Sequence, residues 1–264
     1  VVHFPGGSLV KKICITFSGA SYDATTQIIV DRGCEFGADA VWVYDDKWLL
    51  GQDFYARNRW LWDHPHKRGF GWYAWKPYII WDALSRLTDG DIVLYTDADC
   101  YPIAHLGALF QRCADDGGIM LFASEGHLQR EWCKQDCYIV MGQQDDASPY
   151  SNAQAGVARF MLFQKGSWRT TQFLMEWLTY CINPLATTFD SSIFREELPG
   201  FIEHRTEQAI LTNLAYKYGL YLYREACGAG NGSWRDRGIY EQLFEQIDGD
   251  EMHVTSEPVG SKYF

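Results

Sequence analysis

The chain has 264 residues, 47% of them hydrophobic, and a formal charge of −11. That charge excludes wrapping nucleic acid, which calls for a basic stripe, but leaves room for a nucleotide-sized ligand. No run approaches the ~18 apolar residues of a membrane helix, so no transmembrane segment is expected in this chain.

Taken in order, Lys12 to Phe17 reads as a strand, and Ser18-Gly19-Ala20-Ser21 as a small flexible loop. Residues 24–36 suit a helix ended by Gly37. Asp39 to Tyr44 gives a second strand, completing the β-α-β rhythm of a parallel sheet. Residues 45–74 read as irregular. Pro77 fits the first turn of a helix, which Ile79, Ile80, Ala83, Leu84 and Leu87 continue at helical spacing. After the Asp89-Gly90 turn comes a buried strand, Ile92 to Tyr95. His105 to Ala114 reads as helix and Ile119 to Ala123 as strand. Residues 124–152 are mostly polar and read as a long active-site segment. Arg159 to Phe163 reads as strand, Trp168 to Cys181 as helix, and His204 to Tyr218 as helix closed by Gly219. Leu220 to Tyr223 is a last strand, followed by a Gly-rich loop and a polar tail from about residue 228. With no Pro/Gly/Ser-rich linker, residues 1–264 are expected to form one α/β domain.

The 11 Trp, 16 Tyr and 15 Phe suit either packing or stacking on a sugar ring or base. Both readings apply to Trp60, Trp62, Trp72 and Trp75. Eight cysteines are scattered without a C-x-x-C pair, against a structural zinc site. Cys14 and Cys34 occupy core-like positions. Free thiols fit a reducing, cytoplasmic compartment. The start Val1-Val2-His3-Phe4-Pro5 reads as trimmed, so a secretory or anchored origin stays open.

Chemistry concentrates at Asp97-Ala98-Asp99, directly after the strand that ends at Tyr95-Thr96. Ligands bind at the carboxyl ends of strands in open α/β sheets. Two carboxylates there repel unless a cation sits between them. A divalent ion held by oxygen ligands, gripping a substrate phosphate, answers both needs. Glu207 precedes Leu211, Leu214 and Tyr218 by four, seven and eleven residues, which puts it on the inward face of its helix beside Gln208. It either complements the helix dipole or aims into a pocket. Asn152 to Val157 pairs amides with small residues, which let backbone approach a ligand, or else forms an ordinary turn. Lys76 stands at a helix start, able to meet phosphate or sugar hydroxyls. Lys134 and Asp136 form a further charged pair.

The order of these motifs resembles a GT-A glycosyltransferase. In sequence it is the Ile15 to Tyr22 strand and loop, Trp75-Lys76-Pro77, Asp97-Ala98-Asp99, Gln154-Ala155-Gly156-Val157 and Glu207-Gln208-Ala209-Ile210-Leu211. The nearest pattern is glycosyltransferase family 8, the group of glycogenin and lipopolysaccharide galactosyltransferases. The chain also resembles a looser set of bacterial and viral glycosyltransferase-like proteins with Trp-Lys-Pro and His-Arg-x-x-Gln segments. It departs from family 8 in having Gln154 for Asn, Glu207 and Ala209 for two Asp, and Lys76 for Arg. The resemblance spans roughly residues 13–215 as scattered motifs.

It implies a GT-A fold, a mostly parallel Rossmann-like sheet flanked by helices. It implies Mn²⁺ or Mg²⁺ on Asp97, Asp99 and His253, with Gly260-Ser261-Lys262 meeting the diphosphate, although at a longer spacing than in the family. Thr16, Phe17, Ser18 and Tyr22 would receive the nucleotide, with Tyr22 stacking on the base. Lys76, Ala98, Gln154, Ala155 and Glu207 would line the donor, and Gln208 would lie near the anomeric carbon. The expected reaction moves a sugar from a nucleoside diphosphate-sugar to a hydroxyl of a glycan or other acceptor, with retention. An inverting enzyme would instead need a base such as Asp136 or Glu125.

Three alternatives stay open. A nucleotidyltransferase would carry a basic Gly-rich loop after its first strand, which Ser18 to Ser21 does not offer. A phosphatase would place Asp-x-Asp after an early strand. A non-catalytic carbohydrate-binding relative would rest on the aromatics.

Overall fold

The computed structural model describes residues 10–19, 23–64, 69–143, 150–227 and 243–246. The first half alternates strands and helices: β1 (Lys12–Ser18), α1 (Asp23–Glu35), β2 (Ala40–Asp45), then four short helices, α2 (Asp46–Leu50), α3 (Asp53–Arg57), α4 (Trp60–Asp63) and α5 (Gly69–Trp72). It continues through α6 (Trp75–Ser85), β3 (Ile92–Thr96), β4 (Cys100–Pro102) and α7 (Gly107–Asp115). The second half holds β5 (Ile119–Leu128), α8 (Gln129–Trp132), α9 (Gln135–Val140), β6 (Gln154–Gln164), α10 (Trp168–Cys181), α11 (Pro184–Thr187), α12 (Thr206–Lys217), β7 (Leu222–Tyr223) and β8 (Phe244–Gln246).

Six strands form one sheet in the order β2-β1-β3-β6-β5-β7, and β4 pairs with β8 in a separate ribbon. The pairings β1–β2, β1–β3 and β5–β7 are parallel, whereas β6 runs antiparallel to both β3 and β5. Side chains alternate across β1. Ile13, Ile15 and Phe17 enter a core with α6, α10 and α12, while Cys14 enters the opposite core with Ile29 of α1 and Leu109 and Phe110 of α7. Both faces of β1 and β3 are therefore covered, which is why these strands read as continuous apolar runs.

The helix after β1 and the helix before β3 lie on opposite faces, α1 on one and α6 on the other. The chain winding thus reverses between β1 and β3. Their carboxyl ends, Ser18 and Asp97, flank the crevice that such a switch opens.

Several sequence expectations change physically. The described residues of 45–74 fold largely into short helices rather than irregular chain, and Trp62 and Trp72 there, with Trp75 at the start of α6, are buried in the core. The segment after Ala123 is structural over much of its length, since Gln129, Lys134, Gln135 and Asp136 are buried. Cys34 is exposed. Its neighbour Gly33 faces β2, where an added Cβ would lie 2.6 Å from a Val41 methyl, so the next position turns outward. Within the stretch read as polar tail, Phe244 to Gln246 return to pair with β4, and Phe244 stacks on Phe160 at 4.8 Å.

The small residues of β6 admit α12. Gly156 N donates to Thr212 Oγ1 at 3.0 Å, and a Cβ on Gly156 would meet that oxygen at 3.1 Å. We predict that Thr212→Val, which keeps shape but removes the acceptor for a buried N–H, destabilises the protein by about 1–3 kcal/mol in denaturant unfolding. An unchanged midpoint would mean that another group satisfies Gly156.

Candidate functional site

The centre of the site is the ammonium of Lys76, in the first turn of α6. It lies 3.0 Å from Asp97 Oδ1 and 3.1 Å from Glu207 Oε1, and donates to Ala158 O at 3.1 Å. Its three donors are matched by three acceptors. Burial works against its charge, yet Asp97 and Glu207 outweigh that cost and hold it above the ordinary lysine range. The rings of Tyr73 and Tyr95 lie 5.0 and 5.5 Å from Nζ.

Each carboxylate is positioned by its own element. Asp97 sits past the end of β3, where its N–H donates to Arg159 O at 2.7 Å and its carbonyl accepts from Cys100 N at 3.0 Å. Thr96 Oγ1 closes the same turn onto Cys100 O at 2.5 Å. The Tyr95 hydroxyl donates to Asp97 Oδ1. Burial, with the nearby Asp97, pushes the Tyr95 hydroxyl well above its usual range and keeps it a donor. Glu207 opens α12, as its inward spacing indicated, and is 4% exposed. Its Oε2 accepts from Thr206 Oγ1 at 2.5 Å and its carbonyl accepts from Trp177 Nε1 at 3.0 Å. Thr206 holds φ +41, a left-handed value uncommon outside glycine.

Asp99 belongs to a second chain of contacts. Its Oδ2 accepts from Gln246 Nε2 at 2.9 Å, Gln246 Oε1 accepts from Arg159 Nη1 at 2.7 Å, and Arg159 pairs with Glu225 at 3.2 Å. Burial, then the like charge of Asp97, raises the Asp99 pKa. Sequence reading missed Tyr95, Arg159, Glu225 and Gln246. The available signal was Arg159, a charged residue inside an otherwise apolar strand.

The other expected residues distribute unevenly. Thr16, Phe17 and Ser18 end β1 and are buried. Ser18 Oγ accepts from Thr26 Oγ1 at 2.8 Å, and Phe17 stacks on Trp75 at 4.0 Å. Ala98 is buried within the turn and Gln208 is half-buried beside Glu207. Gln154 is exposed and its carbonyl accepts from Tyr216, nine residues along α12 from Glu207. At 1.5 Å per residue that is roughly 13 Å away. The backbone that meets the centre is instead Ala158-Arg159. Ala155 is buried in β6. Asp136 is also buried, and its two oxygens accept Ile193 N at 3.0 Å and Phe194 N at 3.1 Å, so it serves the 188–205 loop. Tyr22, His253 and Lys262 lie outside the described residues, as does the Glu125 side chain.

No group of three or more His, Cys, Asp or Glu side chains placed to hold a metal occurs among the described residues. The donors present nevertheless suit a hard cation. Protein groups engage Oδ1 of Asp97, while its Oδ2 has no protein donor among the described residues. Magnesium-like ions commonly use one or two carboxylates plus substrate phosphates rather than an all-protein cage.

No family model matches the chain, and no curated protein matches it. Solved structures do. The apo form of mouse xyloside xylosyltransferase 1 aligns at TM-score 0.50 and 9% identity, covering 91% of this chain and 99% of that one. The apo-form glycosyltransferase GlyE of Streptococcus pneumoniae aligns at 0.43 and 14%, covering 91% and 55%. A glycosyltransferase involved in glycosylation of the major capsid of PBCV-1 aligns at 0.45 and 8%, covering 92% and 98%. The fold is that of a GT-A-type glycosyltransferase, a central α/β sheet flanked by helices, as the sequence motifs implied. Among the described residues no helix is long and apolar enough to cross a membrane.

Lys76→Met is expected to cost about 3–5 kcal/mol, because two carboxylates then face each other without a cation. Adding Glu207→Gln should recover part of that loss, and strict additivity in the double-mutant cycle would contradict the shared ammonium.

His204 gives a pH signature. Burial, with Lys134 nearby, lowers its pKa from 6.5 to about 3. The unfolded chain then binds the extra proton between those values, so stability is full above pH 6.5 and falls as pH drops toward 3. Wild type should lose roughly 2 kcal/mol from this group between pH 7 and pH 5. His204→Gln should show a flatter pH dependence of unfolding over that window; the same slope in both proteins would refute the assignment.

Proposed function

We propose that the protein is a metal-dependent glycosyltransferase that moves a sugar, of the hexose class, from a nucleoside diphosphate-sugar to an acceptor hydroxyl. The observation that carries this reading is the arrangement at the β1/β3 crevice: Asp97 and Asp99 at the end of β3, with Lys76 joining Asp97 to Glu207. Two carboxylates, one with its pKa raised by burial and by its neighbour, form a donor set that a divalent cation would stabilise.

Mn²⁺ or Mg²⁺ on Asp97 and Asp99 would supply positive charge against the diphosphate leaving group. The protein's own residues do the rest. Lys76 fixes the orientation of Asp97 and Glu207 and reduces the net negative charge where an anionic donor would enter. Glu207, its two oxygens held by Lys76 and Thr206, would keep the start of α12 in place beside the donor sugar. Gln208, beside it, would stand near the anomeric centre. The end of β1 would receive the nucleotide. The retaining course fits the fate of Asp136, whose oxygens are both committed to backbone N–H groups and so do not serve as an acceptor base.

Thermal melts with a panel of nucleoside diphosphate-sugars, in Mn²⁺ and in chelator, test the reading. A Mn²⁺-dependent rise in melting temperature with one donor is expected, abolished in Asp97→Asn and Asp99→Asn. Full activity in either variant, or a donor shift indifferent to chelator, would sink it.

A further inference from the structure

The two acids at the end of β3 have different neighbours, and each is held by one oxygen. Asp97 Oδ1 meets both Lys76 Nζ, at 3.0 Å, and the Tyr95 hydroxyl, whereas Asp99 Oδ2 accepts from Gln246 Nε2 at 2.9 Å. Gln246 belongs to β8, a strand of three residues, and stands 147 positions along the chain from Asp99. That strand is seated at several points. Gln246 registers opposite Cys100 and Phe244 opposite Pro102 in the β4–β8 ribbon. Leu243 N and Phe244 N both donate to Ala226 O at 3.0 Å, and the fully buried Phe244 ring stacks on Phe160.

The amide is fixed as well as the backbone. Gln246 Oε1 accepts from Arg159 Nη1 at 2.7 Å, and Arg159 also pairs with Glu225 at 3.2 Å. A guanidinium has only donors and an ionised carboxylate only acceptors. Between the two, the amide fits one way, with its oxygen toward Arg159 and its nitrogen toward Asp99. This spacer is neutral, so it orients Asp99 without cancelling its charge, as a direct ion pair with Arg159 would.

Tying one oxygen of each acid decides how the pair can meet a cation. Ca²⁺ takes a large, flexible shell of oxygens and readily grips a carboxylate by both of them. Mg²⁺ demands near-ideal octahedral geometry and uses one or two carboxylates with water and phosphate. Protein donors engage Oδ1 of Asp97 and Oδ2 of Asp99, so among the described residues one oxygen of each acid remains for a cation. The acids then act as a pair of single-oxygen ligands.

We propose that Gln246, held by Arg159, is a specificity-determining residue of the metal site: it keeps Asp99 a single-oxygen ligand and so selects the small octahedral cations Mg²⁺ and Mn²⁺ over Ca²⁺. The inference rests on the metal-dependent reading above and adds which cation the site prefers. Gln246 is a positioning residue that acts through Asp99. Every contact of the relay lies within the protein, so the site is set before a donor arrives.

The test titrates the full chain with Mn²⁺ alone, read by the loss of its paramagnetic resonance signal, and then displaces the ion with Mg²⁺ or Ca²⁺. Wild type should bind Mn²⁺ without a donor. Gln246→Met keeps the side-chain length but neither polar group, and leaves Arg159 its partner Glu225. It should weaken Mn²⁺ about tenfold, a usual cost of losing the partner that holds a metal ligand. The ratio of Mg²⁺ to Ca²⁺ affinity should fall severalfold, because Asp99 is then able to grip Ca²⁺ by both oxygens. Arg159→Lys retains a cation for Glu225 but loses the fork that also reaches Gln246, and should shift the ratio the same way by less. Thr212→Val, destabilised away from the acids, should leave the affinities unchanged and so separates selectivity from stability. An unchanged Mg²⁺ to Ca²⁺ ratio in a folded Gln246→Met overturns the proposal, as does an equal fall in Thr212→Val. Should Gln246→Met fail to fold, an unchanged ratio in Arg159→Lys overturns it. Failure of wild type to bind Mn²⁺ alone defeats this proposal, while a Mn²⁺-dependent donor shift in the melts still upholds the transferase reading; a donor shift indifferent to chelator defeats that reading instead.

Discussion

The structure depends on one buried ammonium placed between two carboxylates. Lys76 comes from α6, Asp97 from the end of β3 and Glu207 from the start of α12, so three distant parts of the chain meet at a single charge. Removing either kind of partner leaves uncompensated charge in a desolvated place, which costs several kcal/mol. The packing around the site serves that meeting. Gly156 lets α12 lie close against β6, Trp177 holds the backbone of Glu207, and Phe17 stacks on Trp75 beside Lys76.

The charge at the crevice is not balanced by Lys76 alone. Counting Asp97, Asp99 and Glu207 against it leaves an excess of negative charge where the strands end. Asp99 is kept in place by Gln246, itself held by Arg159, so the small β4–β8 ribbon is coupled to the main sheet through the site. Under the proposed function, a cation between such carboxylates would give this arrangement a physical reason, and a diphosphate would supply the cation's remaining ligands.

Much of this was legible in the sequence. β1 and β3 are buried on both faces and read as apolar runs, and α10 matched its 3.6-residue pattern from Trp168 to Cys181. The charged cluster of Lys76, Asp97 and Glu207, with Asp99 beside it, was legible because each is a charged residue at the end of an apolar element. Residues 45–74 were not, because their helices are only four or five residues long and too short to show a period. Arg159 and Gln246 were missed because their meaning lies in contacts across 87 and 147 positions. The segment 152–157 suits either a ligand-facing stretch or a turn by sequence; in the fold the lack of a side chain at Gly156 admits α12, and Gln154 lies toward the far end of that helix. Asp136 looked like a chemical group because acids near cations often are, but backbone donors consume both its oxygens.

The most direct measurement is anomalous diffraction from crystals grown with Mn²⁺ and a nucleoside diphosphate. The account predicts a manganese peak touching carboxylate oxygens of Asp97 and Asp99, with phosphate oxygens completing its shell and Lys76 still beside Glu207. A bound nucleotide with no metal at these carboxylates, or manganese bound elsewhere in the fold, would contradict it.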